Sequence, residues 1–273
     1  MIIDSSIYLV YQYNMIKKLL NDKPTKLFLI IATFFVANAL IAECIGGKLF
    51  SLEKVLGFTP HPFTLLGESG LTYTLTCGVL LWPLEFIVTD IVNEYYGPAA
   101  VKRISYIAVG LICYAFIMFY ASISIPPDTS FWTGSQLQNG VPDMQAAFDG
   151  VFGQGLWIIA GSIAAFLVSQ FVDVWVFHKI KKKTGEKKVW LRATGSTVVS
   201  QLVDSFIVLF IAFKIGKDWS YQRVIAICLV NYSYKFIMAM VLTPLIYLAE
   251  KTIDNYLGKE TAAAMKTEAM KTG

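Results

Sequence analysis

Six long apolar runs separated by short polar punctuation set the pattern of this chain. They cover positions 27–45, 71–92, 104–125, 155–177, 194–213 and 224–248. Each is long enough to cross about 30 Å of hydrocarbon as a helix. None shows the short alternating segments that a membrane β-barrel requires. With no water to satisfy peptide groups inside a bilayer, helices that bond internally are the remaining solution. The pattern predicts an all-α integral membrane protein with six transmembrane helices over residues 27–250. Residues 1–26 form a flanking segment, either an interfacial helix ending near Lys17 and Lys18 or a frayed tail, and 251–273 a polar, Ala-rich tail. The N-terminal segment lacks the apolar core and small-residue cleavage site of a signal peptide.

Composition agrees with that reading. Of 273 residues, 56% are hydrophobic and only 15% charged, against about 25% charged in an ordinary soluble domain; the mean hydropathy is +0.57. The net charge of +4 is concentrated in one loop and gives no nucleic-acid footprint. Cys44, Cys77, Cys113 and Cys228 lie far apart inside apolar runs, so they suggest neither a zinc site nor a disulfide framework. With His61 and His178 the sole histidines, no metal site, cofactor motif or histidine-based catalytic centre is expected.

Lys and Arg set the orientation. The connection after the fourth run carries Lys179, Lys181, Lys182, Lys183, Lys187, Lys188 and Arg192. Further basic residues precede the first run (Lys17, Lys18, Lys23, Lys26) and follow the second (Lys102, Arg103). Placing all three segments in the cytoplasm of a bacterial inner membrane puts both termini inside. The long outer loop then has Met144, Ala147, Phe148, Val151 and Phe152 at helical spacing, which suits a short amphipathic lid or a plain connector.

Polar residues within the runs carry the functional signal, because a charge at a span centre costs about 2.5–3.5 kcal/mol on the insertion scale. The fourth and fifth runs repeat one motif, Ser169-Gln170-Phe171-Val172-Asp173 and Ser200-Gln201-Leu202-Val203-Asp204. Its Ser, Gln and Asp share one helix face. Asp173 and Asp204, with Gln170 and Gln201, form the expected base-reading set. The serines read more simply as packing glue. In the second run, Pro83 predicts a kink, Glu85 and Asn93 share a face, and Asp90 with Glu94 form another for proton transfer, gating or interfacial balance of Lys102 and Arg103. Asn231 and Lys235 lie one turn apart in the sixth run. A lysine that deep should pair with Asp204, Asp173 or Glu85. Phe171, Trp175, Phe206 and Tyr234 are candidate stacking partners for a flat ligand. Glu43 is read as reaching interfacial water, and Ala160, Gly161, Ala164 and Ala165 as a strip for close helix packing.

VTDIVNEYYG (88–97), the paired SQ-x-V-D motifs, the stretch 142–213 with its basic loop, and NYSYKF with TPLIY (231–247) resemble the queuosine precursor transporter family. The resemblance spans 27–249. It implies a six-helix carrier for 7-deazaguanines, namely the nitrile or aminomethyl precursors of queuosine or queuine itself. It also suggests the substrate-binding subunits of energy-coupling vitamin transporters, which need a separate ATPase module. This chain has no phosphate-binding loop of its own, so such a module would be a partner. A membrane enzyme is disfavoured by the lack of a nucleophile–base pair, and a scaffold by the buried charges. Association into a homo-oligomer is left open.

Overall fold

A computed structural model describes residues 17, 21–128, 130, 132, 140–185 and 189–271. The interfacial helix expected before Lys23 falls almost wholly outside them. Helix α1 (Lys23–Ile45) is capped by Asp22, which accepts the Thr25 amide at 3.1 Å, and has Pro24 in its first turn, where no amide partner is missed. Then follow strand β1 (Leu49–Ser51), the one-turn α2 (Leu52–Val55), strands β2 (Phe63–Leu65), β3 (Glu68–Leu71) and β4 (Thr74–Thr76), and a 3₁₀ turn at Cys77–Leu80. Helices α3 (Trp82–Tyr96), α4 (Pro98–Ser124), α5 (Met144–Phe152), α6 (Leu156–Thr184), α7 (Val189–Leu209), α8 (Tyr221–Leu257) and α9 (Lys259–Lys271) complete the chain, with a π-helical stretch, Phe210–Ile215, extending α7.

Among the described residues, five helices are long and apolar enough to cross a membrane: α1, α4, α6, α7 with its π-helical extension, and α8. Their outward faces are apolar, as a lipid-facing bundle requires, with Ile30, Ile117, Trp157 and Val241 all exposed. The bundle has a basic end, where α6 meets α7 near Lys181 and Arg192, and a hairpin end, where the short strands lie. At the hairpin end β1 pairs with β4 and β2 with β3, both antiparallel. Glu53 ties them together, accepting from the Tyr73 amide and the Ser51 hydroxyl, each at 2.7 Å. Slight burial raises its pKa, but those hydrogen bonds outweigh it and hold the carboxyl below its ordinary value.

The second apolar run departs from expectation. Residues 71–81 are not α-helical, and α3 has only 15 residues. The run Thr72-Tyr73-Thr74-Leu75-Thr76 is rich in residues that favour strands, and β1 offers it a partner. Gly78 then passes so close to α1 that a Cβ there would lie 2.7 Å from the Ala42 carbonyl. Pro83 does not kink a helix interior; it opens α3, where its missing amide costs nothing. Non-helical backbone at membrane depth is tolerated where protein buries it or it lines a cavity, and Thr76, Gly78 and Val79 line one.

The amphipathic pattern at 144–152 does form a helix, α5, capped by Asp143. Gly161 lets α6 approach α7 so closely that a methyl group in its place would lie 3.0 Å from the Val208 carbonyl, as the small-residue strip predicts. The polar tail also has structure. Helix α8 runs on to Leu257, and α9 folds back so that Lys266 meets Asp254 at 3.1 Å and lies over the Tyr95 ring.

Candidate functional site

Helix α7 presents Arg192, Ser196, Ser200 and Asp204 at intervals of four, which stacks them on one face. Each meets a carboxylate or ammonium from a neighbouring helix, and together they form a polar column through the bundle. At the basic end Glu94 of α3 is held by Arg192 Nη2 at 2.7 Å and Lys181 Nζ at 3.0 Å, all three side chains nearly solvent-free. One turn further in, the Ser196 hydroxyl lies 3.5 Å from Asp90. Next, Ser200 donates to Asp173 of α6 at 2.9 Å. The column ends at Asp204, paired with Lys235 of α8 at 2.5 Å. Of the three carboxylates expected to compete for Lys235, the fold brings Asp204 to it.

A second file runs beside it on α3. Asn38 of α1 donates to Glu85 at 2.8 Å and to the Leu81 carbonyl at 3.1 Å, satisfying an acceptor freed where α3 begins. The Thr89 hydroxyl lies 3.0 Å from both Gln170 Oε1 and the Glu85 carbonyl. Asn93 meets His178 Nε2 at 2.8 Å. Glu94 does not balance Lys102 and Arg103, which are exposed; its cations come from α6 and α7.

Beyond Asp204 the bundle opens into a cavity of about 450 Å³. Its polar lining comprises Asp204, Lys235, Asn231, Glu43, Thr76, Ser162, Ser205, Gln154 and Lys217, and Trp82 and Phe213 supply aromatic walls. Glu43 does not reach outward as expected. It is buried at 8% exposure, accepts a short hydrogen bond from Ser162, and its backbone carbonyl accepts from Gln154 at 2.9 Å. Asn231 anchors its amide on the Ile227 carbonyl at 3.0 Å.

The expected residues therefore divide. Asp204, Lys235 and Asn231 share the cavity. Gln201 lies beside Lys235 and Thr197 in a small neighbouring pocket. Asp173, Asp90 and Glu94 are buried in the column, and Gln170, Glu85 and Asn93 in the file beside it, and none of the six lines the cavity. Of the stacking candidates, Trp175 and Phe206 are exposed on the outside of the bundle, Phe171 packs edge-on with Tyr106, and Tyr234 is buried with Leu75 and Val79. None of the four lines the cavity. Sequence reasoning missed Trp82, Thr76, Ser162, Ser205, Gln154, Phe213 and Lys217 as cavity residues, and Lys181, Arg192 and Ser196 as members of the column. Ser162 sits in the small-residue strip, and a hydroxyl beside Gly161 was the one available signal.

Long apolar helices, buried charges and a cavity bordered by non-helical backbone define a membrane transporter, and comparison with known proteins places it. The family model described as "Putative vitamin uptake transporter" matches residues 76–249, and the chain belongs to that family. It is 31% identical over 191 residues to the "Probable queuosine precursor transporter" of Bacillus subtilis (strain 168), covering 68% of this chain and 75% of the relative. Identity to the "Queuosine precursor transporter" of Escherichia coli (strain K12) is 25% over 181 residues, covering 66% and 72%. A Haemophilus influenzae relative named "Probable queuosine precursor transporter" is 23% identical over 184 residues, covering 66% and 70%. No solved structure matches. The family match begins at Thr76, so it includes every column residue, leaves out Asn38 of the neighbouring file, and leaves out the α1 wall of the cavity with Glu43.

Proposed function

We propose that this transporter imports a 7-deazaguanine precursor of queuosine across a bacterial inner membrane, and that it binds the base in the 450 Å³ cavity. The observation that carries the reading is a buried Asp–Lys pair facing a void of ligand size, in a chain whose named relatives are queuosine precursor transporters. Ligand pockets commonly enclose about 300–1,000 Å³ with a few fixed polar groups. A 7-deazaguanine has a ring N–H and an exocyclic amine on one edge, which one carboxylate accepts together, and an oxo group that an ammonium donates to. Asp204 and Lys235 match that edge, Asn231 adds an amide, and Trp82 offers a flat face. An aminomethyl substituent, cationic at neutral pH, would suit Glu43. When the base takes Asp204 and its oxo group takes Lys235, neither ion is left uncompensated, which is the condition for exchanging a buried pair without a large penalty.

The basic end lies in the cytoplasm on this reading, following the distribution of Lys and Arg. α3 with its non-helical lead-in makes the second of six crossings, and both termini are inside. The Glu94–Arg192–Lys181 cluster then closes the cytoplasmic side while the cavity faces outward. Thermal melting of the detergent-purified protein tests the binding site. A 7-deazaguanine at a hundredfold its Kd should stabilise by about 2.7 kcal/mol, adenine should not, and Asp204→Asn should lose the shift. A folded sample unmoved by queuine and both precursors sinks the substrate assignment. Uptake into vesicles by this single chain tests whether any ATPase module is needed.

A further inference from the structure

A second concave surface lies on the outside of the bundle, between α4 and α6 near the basic end. It is an open groove of about 1,040 Å³, unconnected by any shared lining residue to the cavity around Asp204. Its upper rim carries Lys102 from α4 and Lys179 and Lys182 from α6, all exposed, and among the described residues no Asp or Glu lines it. Below the rim the wall is apolar and aromatic. Tyr106 meets Phe171 edge-on at 5.9 Å, and Val168 continues the wall. Lys179 folds over the Trp175 ring with its ammonium 3.9 Å from the centroid, which fixes one cation at the level of an interfacial aromatic.

The dimensions select the occupant. Val168 and Lys179 are eleven positions apart on one continuous helix, so the groove extends about 16 Å below its cationic rim. That is close to the hydrocarbon depth of one leaflet, about 15 Å. A ligand that fills it needs an anionic head at the lysines and a long apolar chain along Val168 and Phe171. Basic pockets between helices at the membrane surface bind anionic headgroups in this way.

We propose that the groove is a binding site for an anionic phospholipid, its phosphate seated among Lys102, Lys179 and Lys182 and one acyl chain on the α4–α6 wall. The site is separate from the substrate cavity, and it rests on the membrane fold rather than on the substrate assignment. The lipid would also brace α6 against α4 beside the Glu94 cluster, since His178 lines the groove on one side and meets Asn93 of α3 on the other.

Native mass spectrometry of the full chain, released from micelles loaded with equal phosphatidylglycerol and phosphatidylcholine of matched chains, tests the proposal. The wild-type protein should retain one phosphatidylglycerol at collision energies that strip phosphatidylcholine. K102Q/K179Q/K182Q, with all three changes on exposed side chains, should lose that preference at least tenfold. The off-groove pair R103Q/K183Q, also exposed and at the same end, should keep it. Equal retention of both lipids by the wild type overturns the proposal. So does equal loss in both variants, which would mean diffuse surface charge. A dimer that excludes lipid and dissociates in Trp175→Ala would also overturn it, assigning the groove to a second copy of the chain.

Discussion

The two ends of the polar column set the same helix face in opposite surroundings. At the basic end Arg192 and Lys181 surround one carboxylate, Glu94, and the three side chains fill the space between α3, α6 and α7. At the other end Asp204 has one ammonium partner and shares a 450 Å³ cavity with it. Both are buried ion pairs on residues twelve apart in α7. What differs is the backbone opposite. Facing Arg192 is the regular helix α3; facing the cavity, that chain segment is strand and 3₁₀ turn, whose small residues leave room. On the proposed reading, a buried charge saturated by protein acts as a closure, and one left facing space is a site for a ligand that carries the missing hydrogen bonds.

The largest expected effect breaks the closure. Arg192→Ala leaves Glu94 with Lys181 alone in a solvent-free setting, and removing one partner of a buried pair costs about 3–5 kcal/mol. Melting of the purified variant should fall accordingly, and accessibility of a cysteine placed near Asp90 should rise from the basic side. A variant that melts with the wild type and stays sealed would show that the cluster does not close this end.

Much of this arrangement was legible in the sequence, for identifiable reasons. Runs of twenty apolar residues have few alternatives to a membrane helix, and a lysine as deep as Lys235 must find a carboxylate, so those features followed from solvation alone. The spacing of Ser200, Gln201 and Asp204 fixes a shared face through helical periodicity, whereas Arg192 reads as part of the basic loop and not as a buried member of that face. Hydropathy does not distinguish a buried strand from a helix, and so the run at 71–92 concealed its non-helical first half. The repeated SQ-x-V-D motif suggested that both aspartates read the base, although the opposite directions of α6 and α7 already set them at different depths. Asp173 therefore meets Ser200, one turn below Asp204, and the cavity opens on one of the two acids only. Outward-facing Trp175 and Phe206 show the same limit, since aromatics serve lipid contact as readily as ligand stacking.

A smaller effect sharpens the contrast at the open end. Lys235→Met leaves Asp204 as a lone buried acid and should cost about 3 kcal/mol, whereas Lys235→Met with Asp204→Asn should regain more than half of it. Neither should bind a precursor. The corresponding double change at the closed end, Arg192→Met with Glu94→Gln, should recover less, since Lys181 is then the unpaired ion. Equal recovery at both ends would erase the distinction between a two-membered pair and a three-membered cluster.

The smallest change separates the two halves of the repeated motif. Ser200→Ala removes one neutral donor from Asp173 and should cost about 1–2 kcal/mol, with precursor binding within about twofold of wild type because neither residue lines the cavity. Asp173→Asn keeps the shape, still accepts from Ser200, and removes a charge from the column, so it should also retain binding; Asp204→Asn, one turn away, should not. The comparison is informative because both substitutions are isosteric, both lie in the same motif and both remove one negative charge. Only contact with the void distinguishes them. If Asp173→Asn abolishes binding while its melting temperature is unchanged, the base must pass Asp204 and settle deeper, between α6 and α7. The cavity would then be its vestibule, and Asp204 with Lys235 would guard the passage inward.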